Sequence, residues 1–192
     1  VIVDASTAHS GFAIVEDNVL IGPTQFGTNN STIVNGDAVL VVRRNKIYSG
    51  RVAINIAGNG SQVYNNYIEI LEATSDAPVI ALNADNCFIY NNTIVCKKPL
   101  EATTKTLVQA SGATNNVIRN NVFYNIPIAV WSDDGTNPTV SNNAFWQVTT
   151  NYENAFTGVF TGTNDITSDP QFNSYFIPKA ISPLVETGLF VS

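Results

Sequence analysis

The residues that could do acid–base chemistry lie mainly in two turn-like stretches. Glu72 and Asp76 occupy one stretch, and Lys97, Lys98 and Glu101 occupy the next. An amine beside two carboxylates is a formal acid–base arrangement, of the kind that a polysaccharide lyase or a glycoside hydrolase needs. The alternative is a pair of loops with solvated charges, and the sequence favours that alternative.

Evidence for metal or histidine chemistry is weaker. Asp133 and Asp134, followed by Gly135, could bind calcium, but Asp-Asp-Gly is also ordinary turn chemistry and we favour the turn. The only histidine, His9, has no evident partner, which argues against histidine catalysis and a zinc site. We expect neither a bound metal nor a cofactor.

Aromatic and arginine side chains suggest a binding surface instead. Sugar rings stack on exposed aromatic faces, and arginine and tyrosine donate hydrogen bonds to sugar hydroxyls. The alternative is that aromatic residues favour strands and simply cover a sheet. The candidate ligand-binding residues are Arg43, Tyr64, Tyr90, Arg119, Trp131 and Trp146.

The composition excludes several classes of protein. The chain has 192 residues, a net charge of −6, 44% hydrophobic residues and only 12% charged residues. It lacks the basic stripe of a nucleic-acid-binding protein and the long apolar run of a membrane span. Because it starts at Val1 and contains no Met, we expect a processed, trimmed or incomplete product.

The elements that must position these residues are revealed by a repeat of the form apolar-x-Asn-Asn-x-apolar. The clearest copies begin at Val63, Ile89, Ile118 and Val140, and weaker copies flank them. The second Asn, or its equivalent, recurs at intervals of 27, 21, 26, 29, 22 and 26 residues. These markers are Asn18, Asn45, Asn66, Asn92, Asn121, Asn143 and Asp169.

A period of 20 to 30 residues with variable length is typical of a solenoid. Each Asn pair indicates a bend between two short strands, because Asn tolerates the left-handed backbone region. Stacked coils would let the marker side chains form a hydrogen-bonded ladder. A third strand precedes each pair, at 52–56, 79–83, 106–110 and 128–132. We therefore predict an all-β, right-handed parallel β-helix of about seven coils, with three short strands per coil.

The repeat resembles the right-handed parallel β-helix superfamily typified by pectate lyases. The stretch from Asp169 to Phe172 and the stretch from Ser182 to Gly188 also resemble the endings of many secreted β-helix proteins. The resemblance implies that a catalytic site would lie on the outward side of the first strand of each coil and in the turn leading into it. The outward residues there are predicted to be Asn55, Ala81, Gln109 and Trp131, which include no acid, base or nucleophile.

These observations predict one domain over residues 1–192, which could be a segment of a longer protein or fibre. We expect an extracellular or cell-surface module with a structural, adhesive or polysaccharide-binding role and no catalysis. The alternative is a polysaccharide lyase or glycoside hydrolase with its site in the turns around residues 72–105. Expected partners are a polysaccharide or cell-surface glycan and, because both ends are apolar, another copy stacked end to end.

Two cysteines leave one further alternative open. Cys87 and Cys96 are predicted to lie on different strands and to face inward. They could form a disulfide, but two small buried hydrophobic residues are the favoured interpretation.

Overall fold

The computed structural model describes residues 3–4, 11–22, 34–49, 52–71, 78–97, 104–133 and 136–173. Within these residues the chain is all-β, with 18 strands and no helix. Fifteen of the sixteen strand pairings are parallel, each joining successive coils of a solenoid. The predicted parallel β-helix is therefore confirmed. No helix in this part of the chain could cross a membrane.

Each coil contributes one strand to each of three faces, with strands numbered in chain order. The first face contains β1 (Val3–Asp4), β4 (Val34–Gly36), β7 (Ile54–Ile56), β10 (Ile80–Leu82) and β13 (Lys105–Gln109). The second face contains β2 (Phe12–Glu16), β5 (Val39–Arg43), β8 (Gln62–Tyr64), β11 (Phe88–Tyr90), β14 (Val117–Arg119) and β16 (Thr139–Ser141). The third face contains β3 (Val19–Ile21), β6 (Lys46–Ser49), β9 (Tyr67–Ile70) and β12 (Thr93–Cys96).

Two long strands, β15 (Val122–Ser132) and β17 (Ala144–Asn154), begin on the third face and end on the first. The short strand β18 (Gly158–Val159) then pairs antiparallel with β17. On the second face six strands stack, and in the described residues that follow, single-residue bridges extend the solenoid from Ser141 to Thr163 and from Ala144 to Ile166. The number of coils therefore differs slightly from the predicted seven.

The core follows from the alternation of side chains along each short strand. On the second face Val63, Ile89 and Ile118 point inward and are fully buried at one register position. On the third face Phe123 and Phe145 stack on one another with ring centroids 5.4 Å apart. Because each rung supplies equivalent apolar groups, the interior is one continuous apolar column.

The two cysteines belong to this interior. Cys87 and Cys96 are both buried and both free, so the disulfide alternative does not apply. Burial raises the pKa of the Cys87 thiol, which therefore stays protonated.

The bend between the second and third faces is built as the repeat predicted. The first residue of each pair adopts a positive φ, for example 56° at Asn65 and 55° at Asn91. The second residue turns its side chain inward, and its amide oxygen accepts two hydrogen bonds from the preceding marker. Asn66 donates its backbone N–H (3.1 Å) and its Nδ2 (3.0 Å) to Oδ1 of Asn92 in this way. The ladder runs through Asn18, Asn45, Asn66, Asn92, Asn121 and Asn143.

The last member of the ladder differs from the prediction. Asn143 donates its backbone N–H to Oδ1 of Asp165 at 2.8 Å, so Asp165 is the last ladder member in the described residues. The predicted marker, Asp169, is exposed, and its Oδ1 accepts the backbone N–H of Gln171 at 2.7 Å. The bend explains this difference. The residue before each ladder position from Asn18 to Asn143 has a positive φ, and Asn164, which precedes Asp165, has a φ of 55°.

Candidate functional site

Four of the predicted ligand-binding residues lie in one outward column on the second face. Strand register pairs Arg43 with Tyr64, Tyr64 with Tyr90, and Tyr90 with Arg119. Glu16 precedes them and pairs with Arg43. We call Arg43, Tyr64, Tyr90 and Arg119 the arginine–tyrosine column. Its members sit on successive rungs because each precedes its bend by the same number of residues.

At one end of the column, Arg43 forms an ion pair with Glu16 and a hydrogen bond to Tyr64. Its Nε lies 2.6 Å from Oε2 of Glu16, and its Nη1 donates to the Tyr64 hydroxyl at 2.8 Å. The guanidinium also lies 5.9 Å from the centroid of the Tyr64 ring. The hydrogen bonds to Tyr64 and Glu16 raise the pKa of Arg43. Its charge is thus balanced within the protein.

The two tyrosines stack on one another. The rings of Tyr64 and Tyr90 have centroids 4.7 Å apart and planes inclined by 4°. Each ring therefore covers one face of the other, and the column offers a ligand ring edges and hydroxyl groups rather than open faces. The Tyr90 hydroxyl donates to Oε1 of Gln62 at 3.3 Å. Burial raises the pKa of Tyr90, which keeps this hydroxyl protonated.

Arg119 at the other end is not balanced. No carboxylate among the described residues pairs with it, and its Nε is buried without a hydrogen-bond partner. A buried donor without an acceptor is costly and is uncommon in native structures. Among the described residues, Arg119 is therefore the arginine of this column that has no carboxylate partner.

The other two predicted ligand-binding residues lie elsewhere. Trp131 is on the first face, where Nζ of Lys105 sits 3.6 Å from the ring centroid and covers one side of the indole. Trp146 is on the third face, opposite Tyr124 on the adjacent rung. The six candidates thus occupy three faces, and only the four of the arginine–tyrosine column come together.

The predicted acid–base residues are mostly outside the described residues, which include Lys97 but not Glu72, Asp76, Lys98 or Glu101. Lys97 is exposed and forms an ion pair with a carboxylate that the sequence did not single out.

Nζ of Lys97 lies 2.8 Å from Oε2 of Glu69, whose side chain is only 10% exposed. The Tyr67 hydroxyl donates to the same oxygen at 2.9 Å. Burial raises the pKa of Tyr67 most, and the hydrogen bond to Glu69 raises it further. Glu69 is covered because it lies in an outward column between Tyr48 and Val95. Glu69 occupies the same strand position as Tyr48 and Val95 in successive repeats, and this position in the sequence could have identified it.

In the described residues, the predicted calcium-binding position does not bring together a set of metal ligands. Asp133 is exposed and donates its backbone N–H to the Gln109 carbonyl at 2.9 Å, and Asp134 lies outside the described residues. Nowhere in the described part of the chain do three or more His, Cys, Asp or Glu side chains group as metal ligands would.

The outward column of the first face needs one correction. It contains Asn55, Ala81, Val108 and Trp131, and the next residue in register is Glu153. The prediction of Gln109 was wrong. Gln109 is buried, its Nε2 donates to the Thr136 carbonyl at 2.6 Å, and its Oε1 accepts from Nδ2 of Asn116 at 3.1 Å. An inward amide here satisfies buried polar groups at a corner of the coil.

A second polar cluster, not predicted, surrounds Asp165. The Tyr152 hydroxyl donates to Oδ2 of Asp165 at 2.9 Å and accepts from Nδ2 of Asn143 at 3.0 Å. Burial raises the pKa of both Tyr152 and Asp165. The cluster borders a groove of about 400 Å³ whose lining includes Thr149, Asn151 and Phe160. The near-repeat Asn164-Asp165 was the signal that could have located it.

The described side chains thus form an arginine–tyrosine column on the second face, a Lys–Glu–Tyr cluster on the third face and a polar cluster around Asp165. Comparison with models of protein families, with curated proteins and with solved structures finds no match to this chain.

Proposed function

We propose that this chain is a non-catalytic, extracellular or cell-surface β-helix module that binds a polysaccharide or cell-surface glycan. The observation that carries the proposal is the arginine–tyrosine column, which aligns four polar, planar side chains on successive rungs and leaves Arg119 without a carboxylate partner among the described residues. The resemblance of the Asn-Asn repeat to pectate-lyase-like proteins supports the class of ligand.

The column suits an extended, hydroxyl-rich ligand. Four rungs spaced by about 4.8 Å span about 14 Å along the solenoid axis. Ring edges, tyrosine hydroxyls and a guanidinium supply apolar contact and hydrogen-bond donors along this line. Because the strands hold these groups rigidly, the ligand orders few side chains when it binds.

The charge of the chain restricts the class of glycan that we expect it to bind. The chain carries a net charge of −6, which disfavours a densely anionic polymer. Arg43 is balanced by Glu16, so Arg119 is the member of the column that is left to meet an anionic or hydroxyl group. We therefore expect a neutral glycan or one with sparse carboxylates.

The test is binding of a glycan panel by the wild type and by Arg119→Ala. Losing hydrogen bonds from a charged donor costs about 1.5–3 kcal/mol, so the variant should bind roughly ten to a hundred times more weakly. Lys46→Ala, which removes an exposed cation on the third face, is the matched control and should bind as the wild type does. Equal affinity of Arg119→Ala and Lys46→Ala would count against the column as the binding surface.

A second candidate function is that of a polysaccharide lyase or glycoside hydrolase with its site around residues 72–105. The observation that favours it is the pairing of Lys97 with the largely buried carboxylate of Glu69. The test is to incubate the protein with the same polysaccharides and to measure new reducing ends and unsaturated products. Product formation by the wild type that disappears in Lys97→Gln would support this enzyme over the binding module.

A further inference from the structure

A groove of about 400 Å³ lies beside the later part of β17, on a different face from the arginine–tyrosine column. One wall belongs to the stretch of β17 that pairs with β15, through Thr150 with Ile128 and through Tyr152 with Val130. The other wall is the chain that follows β18. Sites for small molecules have volumes of about 300–1,000 Å³, so the groove has room for a small molecule or for one unit of a polymer.

Most of the groove lining is polar. Hydrogen-bonding side chains come from Thr149, Thr150, Asn151, Tyr152, Thr161 and Asp165. Hydroxyl and amide groups both donate and accept hydrogen bonds, whereas an ionised carboxylate only accepts them. The half-buried ring of Phe160 adds an apolar surface to the same groove. This combination suits a molecule that carries several hydroxyl groups and one apolar face.

The carboxylate of Asp165 is held in place at both oxygens. Oδ1 accepts the backbone N–H of Asn143 at 2.8 Å, and Oδ2 accepts the Tyr152 hydroxyl at 2.9 Å. Asn143 and Tyr152 are themselves buried. A carboxylate has about four acceptor positions, so these two hydrogen bonds leave acceptor capacity for a ligand. Because the protein already orders the carboxylate, a ligand that donates to it loses little affinity to the ordering of side chains.

The chain of the second wall passes directly over this carboxylate. A Cβ atom at Gly162 would overlap Oδ2 of Asp165 and would lie 2.7 Å from the Tyr152 hydroxyl oxygen. Glycine is therefore needed for the backbone to approach so closely. The Tyr152 ring is fixed between Phe145 and Phe160, whose ring centroids lie 5.1 and 5.2 Å away. Packing thus fixes the groove around Asp165.

We infer that this groove binds one neutral sugar residue, with Asp165 accepting hydrogen bonds from sugar hydroxyls and Phe160 packing against the apolar face of the sugar ring. Threonine hydroxyls and the Asn151 amide supply hydrogen-bond donors for the other sugar oxygens. An anionic sugar would meet the Asp165 carboxylate, and like charges in contact are unfavourable. The site shares no residue with the arginine–tyrosine column, so either site could fail without the other.

The test is to map amide chemical-shift changes by NMR while methyl glycosides of glucose, galactose, mannose and N-acetylglucosamine are titrated one at a time. We expect at least one of them to shift the amides of Asn151, Thr161 and Asp165. Asp165→Asn keeps the size of the side chain but replaces one acceptor oxygen with a donor, and it should weaken this binding about tenfold or more. Thr149→Ala removes a hydroxyl group that lies outside the ladder and should weaken binding about two- to tenfold.

Thr139→Ala is the matched control, because it removes another exposed threonine hydroxyl, from β16 on the second face, and should leave the affinity unchanged. Circular dichroism melting verifies that each variant is folded, and Thr149→Ala decides the result if Asp165→Asn does not fold. An absence of shifts in the groove amides with all four glycosides would overturn the inference. So would equal affinities of Thr149→Ala and Thr139→Ala.

The class of ligand is tested with the methyl glycoside of glucosamine. Binding about tenfold tighter than that of the glucose glycoside would overturn the assignment to a neutral sugar, because an ammonium group would then be the group that Asp165 recognises. Failure of the arginine–tyrosine column would appear in a different measurement, as equal polysaccharide binding by the wild type and by Arg119→Ala.

Discussion

Replacing one ladder asparagine should destabilise the fold far more than replacing its neighbour in the bend. Asn92 is 1% exposed and donates from Nδ2 to the carbonyls of Val63 (2.9 Å) and Tyr90 (3.1 Å) and to Oδ1 of Asn121 (3.0 Å). Its own Oδ1 accepts the N–H and the Nδ2 of Asn66. Asn92→Ala removes all five of these hydrogen bonds at once.

The cost follows from the groups that are left behind. The buried N–H of Asn66 would lose its acceptor, and a buried group left unsatisfied costs about 1–3 kcal/mol. The carbonyls that faced Nδ2 lose a donor, and the truncated side chain leaves a small cavity. We expect a decrease in the free energy of unfolding of about 2–5 kcal/mol, which is a large part of the stability of an ordinary domain.

The assay is urea denaturation followed by circular dichroism. The control is Asn91→Gly, because Asn91 occupies the bend at φ 55° and glycine accepts that conformation without strain. Its side chain makes no ladder hydrogen bond, so the control should change the free energy of unfolding by no more than about 0.5 kcal/mol. A cost below about 1 kcal/mol for Asn92→Ala, or an equal cost for both variants, would refute the reasoning.

Three further predictions concern buried polar groups. Thr106 Oγ1 is buried and has no hydrogen-bond partner among the described residues, so Thr106→Val should raise the urea midpoint and the free energy of unfolding, the latter by about 1 kcal/mol; a lower midpoint would contradict this. Burial raises the folded pKa of Asp165 above its unfolded value, so the stability that this group contributes is present below the unfolded pKa and is lost as pH rises through the folded pKa. Asp165→Asn lacks this titration, and the stability of the wild type relative to the variant should therefore fall with rising pH; a constant difference would argue that the half-buried carboxylate is not desolvated. Cys87 and Cys96 should react with a thiol reagent only under denaturing conditions, and rapid labelling of the native protein would show that they are not buried.

The ladder could be predicted from the sequence because each bend combines two local requirements. The first residue must tolerate a positive φ and the second must offer both an amide donor and an acceptor, and Asn-Asn meets both. Asp165 was not predicted because the backbone N–H of Asn143 needs only an acceptor, which a carboxylate supplies as well as an amide does. The repeat pattern instead places the marker at Asp169.

The inward or outward direction of side chains could not be predicted where the alternation along a strand breaks. In β13 Thr106 and Leu107 are both buried, so counting alternate positions from Lys105 places Gln109 outward although it lies inside. Contacts between rungs could not be predicted from a local sequence pattern either. Lys97 meets Glu69 across 28 residues of sequence, and that pairing depends on how the two coils stack.

The most direct test of the binding proposal is to map amide chemical-shift changes by NMR while a bound glycan from the panel is titrated. The proposal predicts changes centred on Tyr64, Tyr90 and Arg119 on the second face. Changes centred on Glu69 and Lys97 would contradict it and would favour the enzyme, and an absence of changes with every glycan would leave the arginine–tyrosine column without a binding role.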